Sequence, residues 1–80
     1  MTSAEPPLGE SIARLPDNIR AEMARRRMPG DVLAPLIHIS YATFKRRMKR
    51  PHEFTVGNVA DMAIALHCTV RRLLDWNGGS

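Results

Sequence analysis

The sequence has few of the residues that mark disulfide-stabilised, membrane-spanning or base-stacking proteins. Its one cysteine, Cys68, cannot form a disulfide within the chain, so we expect a cytoplasmic location. The longest apolar run, residues 32–37, is interrupted by Pro35 and is too short to span a membrane. Residues 1–7 have neither a basic start nor an apolar stretch, so we expect no signal peptide. Two Phe, one Tyr and one Trp are too few to favour single-stranded RNA recognition by stacking.

The patterns required for metal binding and catalysis are missing as well. His38, His52, His67 and Cys68 do not have the spacings of a zinc site. The sequence offers no serine with a plausible His and acid partner, no paired carboxylates on one helical face and no glycine-rich phosphate loop. We therefore expect no enzymatic activity, no cofactor and no metal.

Basic residues are in excess, and the excess is local. The 80-residue chain has 12 Lys and Arg against eight Asp and Glu, and its pI is near 10.2. The net charge is +1 over residues 1–30, +3 over residues 31–60 and zero over residues 61–80. A chain of this length allows one domain, and a basic balance of this size points to a polyanionic partner.

Hydrophobic spacing predicts an all-α domain over residues 11–76, with a flexible tail at 1–10 and a flexible end at 77–80. Because Pro16 is expected to split the first apolar stripe, the first helix is predicted from Asp17. The five predicted helices cover residues 17–27, 31–37, 41–49, the segment after Thr55 that ends near residue 66, and the segment from Thr69 to about residue 76.

Helix ends are predicted from the capping residues and the turns. Asp31, Ser40, Thr55 and Thr69 are expected to cap the second to fifth helices, and Pro51 to stop the third. The pattern of apolar residue, histidine, apolar residue and hydroxyl recurs at 37–40 and 66–69, which predicts left-handed turn residues at the two histidines, His38 and His67. The predicted core side chains are Ile12, Leu15, Ile19, Met23, Leu33, Leu36, Ile37, Phe44, Met48, Val59, Met62, Ala63, Leu66, Leu73 and Leu74.

The third predicted helix has one apolar side and one cationic side. Residues 45–50 contain five cations, and no acid follows until Glu53. On a helical wheel, Phe44 and Met48 lie together, while Lys45 and Arg46 lie on the opposite side. A face of a single charge repels itself unless an anionic partner meets it, so we interpret this face as a binding surface.

A characteristic series of residues runs through the predicted helices: Ile19, Met28, Leu33, Ala34, Ile37, Ile39, Ser40, Thr43, Phe44, Ala65, Leu66 and Cys68. Together with the order and spacing of the helices, this series resembles the Cro and phage-repressor (XRE-type, lambda-repressor-like) helix-turn-helix family over residues 18–76. Residues 40–51 and 53–57 are similar to the phage-associated branch of that family. The chain departs from the family pattern at Gly30, where Gln is common, and at His38, where Gly is usual.

The resemblance implies a five-helix domain whose third helix enters the major groove of double-stranded DNA. By position, the implied base-reading residues are Tyr41, Ala42, Lys45 and Arg46. Arg or Lys pairs with guanine O6 and N7, and Ala contacts the thymine methyl. The implied phosphate-binding residues are Gly30, Asp31, Ser40, Arg47, Lys49, Arg50 and Thr55.

The implied function is a sequence-specific transcriptional regulator of the phage-repressor or Cro type, which occupies a DNA operator. We expect a homodimer on DNA, because one short helix reads few base pairs and paired half-sites multiply specificity. Leu74 and Trp76 are candidates for the dimer interface, although Trp76 can equally cap the small core.

Two alternatives remain open. The fold can serve as a protein-interaction module whose basic face meets an acidic protein, or as an architectural DNA binder without sequence preference. Two further arginine groups also have open roles. Residues 25–27 either complement a helix dipole or contact the DNA backbone, and Arg71 and Arg72 open the last helix, at the end where cations are unfavourable.

Overall fold

The computed structural model describes residues 8–74. Within them the chain forms five α helices and a 3-10 turn at Pro51–Glu53, and no strand. The predicted all-α class is therefore confirmed for this part of the chain. Residues 1–7 of the predicted tail and the predicted end at 77–80 lie outside the described residues. The helices are α1 (Leu8–Arg25), α2 (Gly30–Leu36), α3 (Tyr41–Lys49), α4 (Val56–Ala65) and α5 (Val70–Leu74).

Helix α1 is longer than the sequence predicted. It begins at Leu8 and continues through Pro16, so the predicted split at Pro16 is wrong. A proline inside a helix removes one backbone hydrogen bond. Here Leu15 and Ile19, on either side of it, are almost completely buried, and their packing holds the helix together across the gap.

Three helices end in the same left-handed turn. Arg27, His38 and His67 have φ values of 52°, 65° and 53°. At each turn the left-handed residue and the residue after it donate their N–H groups back into the last helical turn, as His38 does to the Pro35 carbonyl. The prediction of left-handed histidines at both positions is confirmed, and Arg27 adds a third that the sequence did not reveal.

Hydroxyl caps begin α3, α4 and α5. The Thr43 N–H donates to Ser40 Oγ, and the Arg72 N–H donates to Thr69 Oγ1. Thr55 and Asn58 form a reciprocal capping box at the start of α4. These three predicted caps are confirmed. The predicted cap at Asp31 is wrong, because Pro29 occupies the N-cap of α2 and places Asp31 in its first turn.

The core lies where the five helices converge. Helix α1 packs against α5 and the 3-10 turn, and α2 packs against α3 and α4. Leu36 was predicted to face inward but is 48% exposed, because Leu33, Ala34 and Ile37 turn the other side of the short α2 toward the core. None of the helices described is both long and apolar enough to cross a membrane. The buried apolar side chains are Leu15, Ile19, Leu33, Ala34, Ile37, Phe44, Met48, Phe54, Val59, Met62, Ala63, Leu66 and Leu73.

Candidate nucleic-acid interface

Helix α3 buries one side and exposes the other. Phe44 and Met48 are 3% and 9% exposed and belong to the core. On the other side, four exposed residues lie within an arc of about 100° around the helix axis, given 3.6 residues per turn. All four predicted base-reading residues are exposed, as is Lys49, although Tyr41 stands at the edge of this side. The residues in the arc are Ala42, Lys45, Arg46 and Lys49.

Tyr41 organises the first turn of α3. Its ring stacks on Phe44 with the centroids 6.5 Å apart, and Lys45 Nζ lies 4.6 Å from the Tyr41 centroid. A cation over an aromatic face is attracted by the ring quadrupole. Lys45 is thereby held near the N-terminal end of the exposed side, and Tyr41 connects this cation to the core.

Gly30 has a packing role that the sequence did not reveal. A Cβ built on it would lie 3.0 Å from Tyr41 Cε1 and 3.0 Å from Phe44 Cε2, which is closer than such atoms normally approach. The start of α2 therefore presses directly on the two rings of α3. Asp31 follows in the first turn of α2 and is exposed.

A groove beside α3 brings in a residue that sequence analysis missed. The groove has a volume of about 540 Å³, and Arg20 and Met23 of α1 line one side of it. Arg20 adds a cation opposite Lys45 and Lys49, and it pairs with Asp17 at 3.2 Å. No local pattern could have identified Arg20, because its position depends on where the fold places α1 relative to α3.

Arg47 faces inward rather than outward. Its Nη1 donates to Asn58 Oδ1 at 2.6 Å, and Asn58 is 8% exposed. The Arg47 Nε is buried and has no hydrogen-bond partner among residues 8–74. The same Asn58 oxygen accepts the Thr55 N–H, so Arg47 joins α3 to the start of α4. Part of the guanidinium predicted to meet a phosphate is therefore engaged within the protein.

A carboxylate lies beside the cationic side of α3. The 3-10 turn carries Glu53 back toward α3, where its Oε1 lies 3.4 Å from Arg46 Nε and its Oε2 lies 3.6 Å from Arg50 Nη1. The expected face of unmixed positive charge is thus partly neutralised at its C-terminal end. In the sequence, Glu53 is the first acid after the basic run, and that position alone indicates no role.

The remaining predicted phosphate-binding residues surround the exposed side of α3. Ser40 and Thr55 are exposed, but both hydroxyls already take part in caps, and Ser40 Oγ also donates to Thr43 Oγ1 at 2.9 Å. Lys49 and Arg50 are exposed at the end of α3. The structure therefore arranges these residues around one helix face, at the starts of α3 and α4 and at the end of α3.

A second group of arginines surrounds Glu22 on α1. The Glu22 side chain is 5% exposed and accepts from Arg26 Nη1 and Arg72 Nε, each at 2.9 Å, while Arg25 Nη1 lies 3.6 Å away. Arg26 also donates to the His67 carbonyl. Glu22 therefore ties α1 to α5 and to the turn between α4 and α5.

These contacts shift two pKa values in opposite senses. The hydrogen bond from Arg72 lowers the pKa of Glu22 and outweighs burial, which acts to raise it. The nearby Cys68 thiol has a raised pKa, chiefly because it is partly buried. Glu22 is therefore ionised in the folded protein, and Cys68 is a poor thiolate former.

Comparisons with known proteins give no relative to reason from. No protein-family model, curated protein or solved structure matches the chain. Within residues 8–74, no group of three or more His, Cys, Asp or Glu side chains is placed to hold a metal ion. The function must therefore be argued from the helix face itself.

Proposed function

We propose that this chain is a sequence-specific double-stranded DNA-binding protein of the Cro and phage-repressor (XRE-type) kind, with α2 and α3 as its helix-turn-helix. The observation that supports this proposal best is the division of α3. Phe44 and Met48 anchor one side, and the other side presents Lys45, Arg46 and Lys49 within a narrow arc. A short, rigid, cationic helix of this kind fits the major groove, which admits one α helix.

The roles assigned to α3 follow from where each side chain stands. Lys45 and Arg46 read guanine edges through O6 and N7, and Ala42 contacts a thymine methyl. Tyr41, at the first turn, contacts a base edge or the sugar next to it. Lys49, one turn beyond Lys45 on the same side of the helix, meets a phosphate.

Backbone positioning comes from the residues around α3. The start of α2, at the half-buried Gly30 and the exposed Asp31, and the first turns of α3 and α4, which follow Ser40 and Thr55, offer backbone N–H groups to phosphates. Arg47 donates to Asn58 through Nη1 and so holds the start of α4 in place. Its Nη2 group is offered to a phosphate.

The regulatory mechanism is binding without chemistry. The protein occupies an operator and either blocks or recruits polymerase. We also propose a homodimer on DNA, since a nine-residue helix reaches few base pairs. Of the two interface candidates, Leu74 is half-buried at the end of α5, and Trp76 lies outside the described residues.

Selection from a pool of randomised duplexes at roughly physiological salt, followed by sequencing of the bound fraction, tests the proposal. We expect one enriched motif with a repeated or inverted half-site. Recovery of duplexes without an enriched motif would instead indicate an architectural DNA binder. Failure to recover any duplex would indicate that the basic face binds an acidic protein.

A further inference from the structure

Glu53 is fixed in place beside α3 by its own backbone. The Glu53 N–H donates to the Arg50 carbonyl at 2.9 Å, and the Phe54 N–H donates to the Pro51 carbonyl at 3.1 Å. Phe54 is 9% exposed and packs edge-on against Phe44 at 6.3 Å between centroids. The backbone of Glu53 is therefore held at a set position relative to α3, within reach of its arginines.

The nitrogen that Glu53 contacts is the informative detail. Glu53 Oε1 lies 3.4 Å from the Nε of Arg46, so this contact leaves both terminal Nη groups of that arginine available. The Arg46 side chain is 58% exposed. Two Nη groups in one plane match guanine O6 and N7, and an arginine that is already oriented loses less conformational freedom when it binds.

The second carboxylate oxygen has a different effect. Glu53 Oε2 lies 3.6 Å from Arg50 Nη1, so one negative charge offsets two cations at the end of α3. Phosphate attraction is the main source of affinity for DNA of any sequence. A carboxylate in this position therefore weakens non-specific binding while it leaves the base-reading groups of Arg46 in place.

We propose that Glu53 is a positioning residue for base recognition, which holds Arg46 by Nε so that its two Nη groups face a guanine and which lowers the affinity for arbitrary DNA. This inference rests on the proposed function, because it needs a duplex in contact with α3. It goes further in assigning guanine to Arg46 and in giving specificity to a residue outside α3.

Three variants separate the geometry of Glu53 from its charge. Glu53→Ala removes both the acceptor and the charge. Glu53→Gln removes the charge but keeps an amide oxygen that can accept from Arg46 Nε. Asp61→Asn is the matched control, because it removes the same charge from α4. The melting temperature of each variant establishes that it is folded before any binding is measured.

The binding experiment uses the duplex recovered by selection. Each guanine of the site is replaced in turn by 7-deazaguanine, which lacks the N7 acceptor, and by adenine. The affinity for a random duplex is measured in parallel over a range of salt concentrations. For the wild type, we expect replacement by adenine at one guanine to weaken binding by roughly 5- to 150-fold. We call this loss of affinity the guanine penalty. Arg46→Ala should abolish the guanine penalty at that same guanine.

The Glu53 variants should then differ from one another. Glu53→Ala should lower the guanine penalty by at least about threefold and should bind the random duplex more tightly. The salt dependence of its binding should steepen by up to about 0.9 in slope per added phosphate contact. Glu53→Gln should bind the random duplex more tightly but keep most of the guanine penalty. Asp61→Asn should leave that penalty unchanged.

Two binding results would overturn the inference alone. The first is a wild-type motif with a normal guanine penalty that Glu53→Ala does not reduce, and the second is a motif in which no guanine depends on Arg46. If the wild type enriches no motif, the proposed function fails and this inference fails with it.

An independent readout is the Arg46 Nε–H signal in NMR spectra of the free protein. We expect it to be protected in the wild type and lost in Glu53→Ala, and a wild type without that protection would contradict the inference.

Discussion

The turn between α2 and α3 and the turn between α4 and α5 have the same geometry, but the arginines that follow them have different roles. Each turn has a left-handed histidine, His38 or His67, and each is followed by a hydroxyl cap, Ser40 or Thr69. Both histidines donate back to a carbonyl three residues earlier. The local sequence therefore sets the same turn twice, and the difference arises from what packs beside it.

The difference lies in the acid that each set of arginines meets. Beyond the second turn, Arg72 contacts Glu22, whose side chain is 5% exposed and ties two helices together. Beyond the first turn, Arg46 contacts Glu53, whose side chain is 30% exposed at the rim of the exposed side of α3. Burial of the carboxylate thus distinguishes arginines that stabilise the fold from arginines that remain available to a ligand.

Removing each charge in turn tests this distinction most strongly. We expect Glu22→Gln to lower the free energy of unfolding by about 1.5–3 kcal/mol, because one of the two buried oxygens that accept from Arg26 and Arg72 becomes an NH2 donor and the other loses its charge. Glu53→Gln should cost less than about 1 kcal/mol, as for a surface ion pair. Urea denaturation of both variants measures the two values, and equal losses would contradict the comparison.

The pH dependence of unfolding also tests the stabilising role of Glu22. Because the folded-state pKa of Glu22 is lowered, its stabilising contribution is present above the ordinary glutamate pKa of about 4.3. That contribution is lost as the pH falls through the lowered pKa. The unfolding free energy of the wild type should therefore decline below about pH 4 more steeply than that of Glu22→Gln. Identical slopes for the two proteins would show that Glu22 is not coupled to folding.

Gly30 tests how closely α2 meets the rings of α3. We expect Gly30→Ala to destabilise the fold by about 1 kcal/mol, because the added methyl must displace Tyr41 or the buried Phe44. Gly57→Ala is the control, since its Cβ would make an ordinary 3.6 Å contact with Thr55 Oγ1. That variant should be neutral or stabilising by up to about 1 kcal/mol through helix propensity. The melting temperatures of both variants test this prediction, and a Gly30→Ala variant that is more stable than the wild type would contradict the packing role of Gly30.

The smallest effect concerns the two histidines. His38→Gly and His67→Gly should each stabilise the protein by about 0.5 kcal/mol, because glycine avoids the left-handed penalty but adds freedom to the unfolded chain. The two gains should be equal within error, since the turns share one geometry. A loss of stability in either variant would mean that the imidazole makes a contact of its own.

Sequence reasoning succeeded where the determinants are local. Ser40, Thr55 and Thr69 act as caps, and His38 and His67 as left-handed residues, because each depends on neighbours within a few positions. The exposed and buried sides of α3 follow from helical spacing in the same way.

Three of the misses share a tertiary cause. Pro16 lies within α1, because packing on both sides compensates for its missing hydrogen bond. Gly30 is set by two rings of another helix, and Glu22 is stabilised by arginines up to 50 residues away in the chain. Spacing along one helix carries no information about such partners.

The central claim is that the exposed side of α3, and not positive charge in general, binds duplex DNA. Two double variants that each remove two cations test it: Lys45→Ala with Arg46→Ala, and Arg25→Ala with Arg71→Ala. Fluorescence anisotropy on the selected duplex should show that the first weakens binding at least roughly 30-fold, at about 1–3 kcal/mol per base contact. The second should change the affinity by less than roughly threefold. Equal losses in the two double variants would contradict the claim.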